Sequence, residues 1–122
     1  MTALPEIFPF SRLKLQGHEA LEWVGYNPTF HRFTKYGLAI SDAAFYVCWR
    51  SLIFASWRRY PLSDISNVAF VGDEDRRPEL KFQVGSRKMA FRTPIDFHTE
   101  DVNFDRGVLF KAAEHLRSKV RQ

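Results

Sequence analysis

The stretch Tyr36-Gly37-Leu38-Ala39-Ile40-Ser41-Asp42-Ala43-Ala44-Phe45-Tyr46-Val47 sets two β-prone runs on either side of a polar pair. Branched and aromatic side chains fit a pleated surface, while Ser and Asp bond to nearby backbone and favour turns. The stretch therefore predicts a hairpin turning at Ser41-Asp42. Its first strand is expected over residues 33–40, with Tyr36, Leu38 and Ile40 on one face and Lys35, Gly37 and Ala39 on the other. Its second is expected over residues 44–50, with Phe45, Val47 and Trp49 opposed to Tyr46 and Cys48. A further apolar run, residues 53–60, follows almost at once, and Pro61 interrupts before residues 65–71 resume the pattern. Successive strands with no room for helical crossovers make an antiparallel meander.

Upstream, residues 19–26 contain Leu21, Trp23 and Val24 and predict another strand, closed by the turn signal Asn27-Pro28-Thr29. Residues 1–16 carry Pro5 and Pro9 among Ile7, Phe8 and Phe10 and are expected to be an irregular lead-in to one domain spanning 17–122. Downstream, residues 72–78 form a charged loop. Residues 79–84 then alternate Leu80, Phe82 and Val84 with Lys81 and Gln83. Gly85-Ser86 suits a two-residue turn, and residues 87–92 return with Met89 and Phe91 inward. After Pro94 the period changes. Phe104, Val108, Ala112, Leu116 and Val120 recur every fourth residue, one face of an amphipathic helix, with Asp101 and Asn103 as candidate caps.

The predicted fold is mainly β, with about seven short antiparallel strands followed by one C-terminal helix. A sheet of this size curls on itself, and the helix is the element left to close its open end.

Composition agrees with a packed core. Among 122 residues, 45% are apolar, and 12 Phe against 2 Met suit a small bent sheet better than a helical bundle. One cysteine, Cys48, excludes an intramolecular disulfide and suggests a reducing compartment. The opening residues lack the basic start and apolar run of a secretory leader. No stretch reaches the roughly 18 to 20 apolar residues of a membrane span. A cytoplasmic protein is expected.

Two motifs carry a resemblance. Leu38 to Val47 resembles the strand, Ser-Asp turn and strand of bacterial pleckstrin homology-like and GRAM-like domains. Arg59-Tyr60-Pro61-Leu62-Ser63-Asp64-Ile65-Ser66-Asn67-Val68 is similar to their basic, apolar, Pro-Leu, Asp-Ile segment, and Gly17-His18-Glu19 to the opening of their first strand. Where many relatives place Lys or Arg after the turn, this chain has Ala43 and Ala44. The resemblance spans roughly residues 17–120. It implies a barrel of about seven strands capped by the helix, and a bacterial module that assembles into dimers or rings.

No catalytic constellation stands out. His18, His31, His98 and His115 are scattered, without metal-ligand spacing, so neither metal nor cofactor is expected. Cys48 sits between Val47 and Trp49 and reads as a small strand hydrophobe. Asp73, Glu74 and Asp75 lie beside Arg76 and Arg77 in one loop, without the rigid placement that acid–base work needs. The chain is expected not to be an enzyme.

Binding readings remain. Arg32, Lys35, Arg58 and Arg59 are candidate contacts for an anion or a lipid headgroup. Three such cations on one anion give about 5 to 9 kcal/mol gross, and association removes at least about 4 kcal/mol. One subunit is thus a weak receptor. Net charge is +4 and spread along the chain, whereas nucleic-acid binding needs many phosphate contacts on one surface, so no nucleic acid is expected. Leu52, Ile53, Phe54 and Trp57 make a run apolar on both faces and form a candidate self-association face. The alternative is that the lead-in or the helix covers it. The expectation is a non-catalytic module that binds a protein partner or itself. The alternative is a peripheral adaptor on an anionic membrane surface.

Overall fold

The computed structural model describes residues 4, 10–25, 37–51, 55–72, 79–92 and 99–120, with 49–51, 55–56, 91–92 and 99–107 described through their backbone. The chain divides into two compact units, Met1–Pro61 and Leu62–Gln122.

The first unit is a four-stranded antiparallel meander in the order β1 (Leu21–Gly25), β2 (Gly37–Ser41), β3 (Ala44–Ser51) and β4 (Ala55–Pro61). β2 and β3 pair Ile40 with Phe45 and Leu38 with Val47, so the connection is Asp42-Ala43. Ser41 is the last residue of β2, so the turn falls one place later than at Ser41-Asp42. Its hydroxyl explains the shift, because it accepts the Ala43 and Ala44 N–H groups at 3.1 and 2.9 Å and so caps the turn from the strand end.

β2 is buried along its whole length. The pleat puts Ala39 on the face away from Leu38 and Ile40, yet all three are inaccessible. The segment preceding β1 explains this. Phe10 to Arg12 form a 3-10 turn, and Phe10 and Leu13 pack with Leu21, Ala39, Ala44 and Tyr46, flanked by Leu15, Val24 and Trp57. Small side chains at Ala39 and Ala44 leave a shallow bed, and Gly37 opens it further. A Cβ at Gly37 would stand 2.9 Å from Phe10 Cζ and 3.1 Å from Trp57 Cη2. The Phe10 and Trp57 rings meet with centroids 5.3 Å apart, tilted by 50°. At 1% exposure Phe10 is a core residue of this unit.

The second unit begins with a 3-10 turn, Leu62–Asp64, and continues as the antiparallel sheet β5 (Ile65–Val71), β6 (Glu79–Val84) and β7 (Arg87–Arg92). Those three strands match the sequence expectation residue for residue. Gly85 takes φ +62° in the β6–β7 turn, where a β-carbon is strained. Asn67 holds φ 53° beside a register shift between Ser66 and Ala69, so β5 carries a bulge.

Helix α1 (Thr99–Lys119) lies on β5 and β6. Val108, Ala112 and Leu116 of the four-residue stripe are buried, joined by Leu109 and Ala113. Because the helix starts at Thr99, Asp101 and Asn103 fall inside it and neither is its N-cap. Among the described residues no helix is long and apolar enough to cross a membrane.

Candidate functional site

The densest polar cluster forms where the segment preceding β1 meets β2, β3 and β4. The Ser41 hydroxyl ends β2, and the Ala39↔Tyr46 and Tyr46↔Arg59 registers carry Tyr46 and Arg59 onto the covered face. Glu19, two residues before β1, supplies the carboxylate. Its Oε2 accepts the Tyr46 hydroxyl at 2.6 Å and the Ser41 hydroxyl at 2.9 Å. Its Oε1 accepts Arg59 Nε at 3.0 Å and also Arg59 Nη2. Ser41 has one proton to give. The Ala44 carbonyl lies at 3.3 Å, so the shorter bond to the charged carboxylate takes it.

Tyr46 is the hub. Its hydroxyl oxygen also accepts Arg59 Nε at 3.2 Å and the Gln16 N–H at 3.3 Å, and the guanidinium carbon lies 6.0 Å from the ring centroid. A second latch stands alongside. Asp42 Oδ1 accepts the Ala20 N–H at 3.0 Å, and the Asp42 N–H is donated to the Ala20 carbonyl at 2.9 Å.

Electrostatics follow from this geometry. Burial raises the Glu19 pKa, but hydrogen bonds from Tyr46, Arg59 and Ser41 outweigh it and hold the carboxyl below its ordinary value. Burial, and then the neighbouring carboxylate, push the Tyr46 phenol up. The bond to Glu19 keeps Arg59 charged. A general base works best with a pKa near ambient pH and a free lone pair. Glu19 has a depressed pKa, and both of its oxygens carry two donors. Chemically the cluster is a clamp that ties the preceding segment to three strands.

Arg59, a candidate anion contact, is therefore the ion-pair partner of Glu19, with the two side chains 27% and 6% exposed. Arg58 points to the opposite face and is exposed. Arg32 and Lys35 lie outside the described residues. Leu52, Ile53 and Phe54 also lie outside them. Trp57 is half-buried against Phe10, so at this residue the lead-in supplies the cover. Cys48 is fully buried. Among the described residues, no group of three or more His, Cys, Asp or Glu side chains could hold a metal ion.

Sequence reasoning picked Glu19 and Ser41 only as parts of motifs and did not join them to Tyr46. The signal was available for half of it. The two-residue connection at Asp42-Ala43 fixes the β2–β3 register and with it the face that Tyr46 shares with Ala39. The register shift between Cys48 and Ser51 hides where Arg59 falls. Compared with family models, curated proteins and solved structures, the chain matches none.

Proposed function

We propose that this chain is a non-catalytic pleckstrin homology-like module that binds a protein partner or associates with its own copies. The order of the described elements supports the proposal: seven antiparallel strands in succession and then one helix, the count and order that the sequence resemblance implies, here divided between a four-stranded and a three-stranded sheet. The saturated Glu19 cluster supports the non-catalytic part, since its acid and its cation are spent on each other. The alternative role, a peripheral adaptor on anionic headgroups, has Arg58 as its one exposed candidate among the described residues, because Arg59 is held by Glu19.

Light scattering over a chain-concentration series tests the module. The expected outcome is a mass that climbs from that of one 14.3 kDa chain to a discrete multiple. A mass fixed at one chain throughout would remove self-association.

A further inference from the structure

The outer strands are β1 and β4 in the sheet of the first unit, and β5 and β7 in that of the second. An outer strand offers a row of backbone N–H and C=O groups to another chain, and folds blunt such rows with bulges, proline or charge. β1 carries a register shift between Leu21 and Trp23, and β5 has its bulge at Asn67. β4 faces the shift between Cys48 and Ser51 and ends at Pro61. Among the described outer strands β7 alone has neither shift nor proline. It pairs with β6 residue for residue, from Val84↔Arg87 to Glu79↔Arg92.

The direction of its backbone groups follows from the turn. Gly85, at φ +62°, opens a two-residue connection, so Val84 and Arg87 exchange both of their hydrogen bonds. Alternation then turns the N–H and C=O of Arg87 and Met89 toward β6, and those of Lys88 and Ala90 away from it. Both outward residues are exposed. The Gly85 N–H is donated to the Asp64 carbonyl at 2.9 Å, which ties the end of the hairpin to the start of β5. The edge is thus held in shape before anything joins it.

Charge decides what fits. β7 reads Arg87-Lys88-Met89-Ala90-Phe91-Arg92, with three cations and no carboxylate. Arg87 and Lys88 are exposed, Met89 is half-buried, and Ala90 adds little bulk to the exposed side. Such an edge deters a second copy of itself, which would bring the same cations alongside. A strand bearing carboxylates meets the opposite field. We infer that β7 takes an acidic extended segment of a protein partner as a further strand of this sheet. Backbone bonds at Lys88 and Ala90 hold it, a carboxylate opposite Lys88 sets the charge preference, and an apolar residue lies beside Met89 on the other face. The inference rests on the protein-binding reading above and gives the partner's chemistry.

The probe is a capped heptapeptide alternating Glu and Val, added to the full-length chain, with backbone amide exchange followed by NMR. In the free chain the Lys88 and Ala90 N–H groups should exchange fast and that of Met89 slowly. With peptide at about ten times its Kd, exchange at Lys88 and Ala90 should slow about tenfold. No slowing with peptide on the order of millimolar would overturn the inference. Ala90→Pro removes one outward donor at a position where an edge strand tolerates proline, and should abolish the slowing at Lys88. If that variant does not fold, Arg87→Glu with Lys88→Glu decides instead. The reversed chain should bind a Lys–Val peptide in place of the Glu–Val one, and an unchanged preference for the acidic peptide would overturn the assignment. A further result separates the two readings. If the chain self-associates in the concentration series while β7 shows no slowing, the module stands and this site does not.

Discussion

Glu19 shows how a single carboxylate fixes local architecture when every lone pair has a donor. Replacing it by Gln keeps the volume but removes the charge and gives the Arg59 side an amide in place of a carboxylate. Hydrogen bonds to charged groups contribute about 1.5 to 3 kcal/mol each. Arg59 keeps some access to water, so we expect Glu19→Gln to cost about 2 to 3 kcal/mol at neutral pH. The folded pKa of Glu19 lies below its usual 4.5, so its contribution is full above that value and is lost as pH falls through the folded one. Wild type should therefore lose stability on acidification below about pH 5, and the gap to Glu19→Gln should close in the same window. Urea melts at a series of pH values measure it. A gap that stays constant down to strong acid would refute the clamp's charge.

At the scale of elements, burial and exposure on α1 make the sharper test. Leu116 is fully buried on the face that meets β5 and β6, and Leu116→Ala should cost about 2 to 5 kcal/mol. Phe110, 48% exposed, meets Phe70 edge-on at 5.5 Å, and Phe110→Ala should cost about 0.5 to 1.5 kcal/mol. Chemical denaturation of the two variants checks the order, and comparable losses would mean that the stripe is not the packed face. That stripe was legible because a four-residue recurrence survives in any helix packed on one side. β5, β6 and β7 were legible for a similar reason, since alternation and Gly85-Ser86 are local signals. The helix start was not, because Asp101 and Asn103 resemble caps by type while the backbone is already helical from Thr99. Nor was the bulge at Asn67, a left-handed residue inside an otherwise regular apolar run. The cover over Ala39 and Ala44 depends on Phe10, close to thirty residues away in sequence from the first of them, and no periodicity reports a contact of that kind.

For the whole molecule, the decisive quantity is how much positive charge stays free to meet a partner. The net charge of +4 draws the chain weakly toward any anionic surface. Each basic residue near such a surface adds about 1 kcal/mol, and salt screens it. The adaptor reading names four cations, and Glu19 already neutralises one of them, Arg59. The remaining Arg32, Lys35 and Arg58 supply about 3 kcal/mol together, below the cost of at least about 4 kcal/mol for lost translational and rotational freedom. Sedimentation with vesicles rich in phosphatidylserine should therefore leave the wild-type chain in the supernatant at physiological salt, with weak pelleting only at low salt. Arg58→Glu should abolish that residue of binding, while Glu19→Gln, by loosening Arg59, should increase it. Strong pelleting by wild type at physiological salt would replace the assembly module with the membrane adaptor.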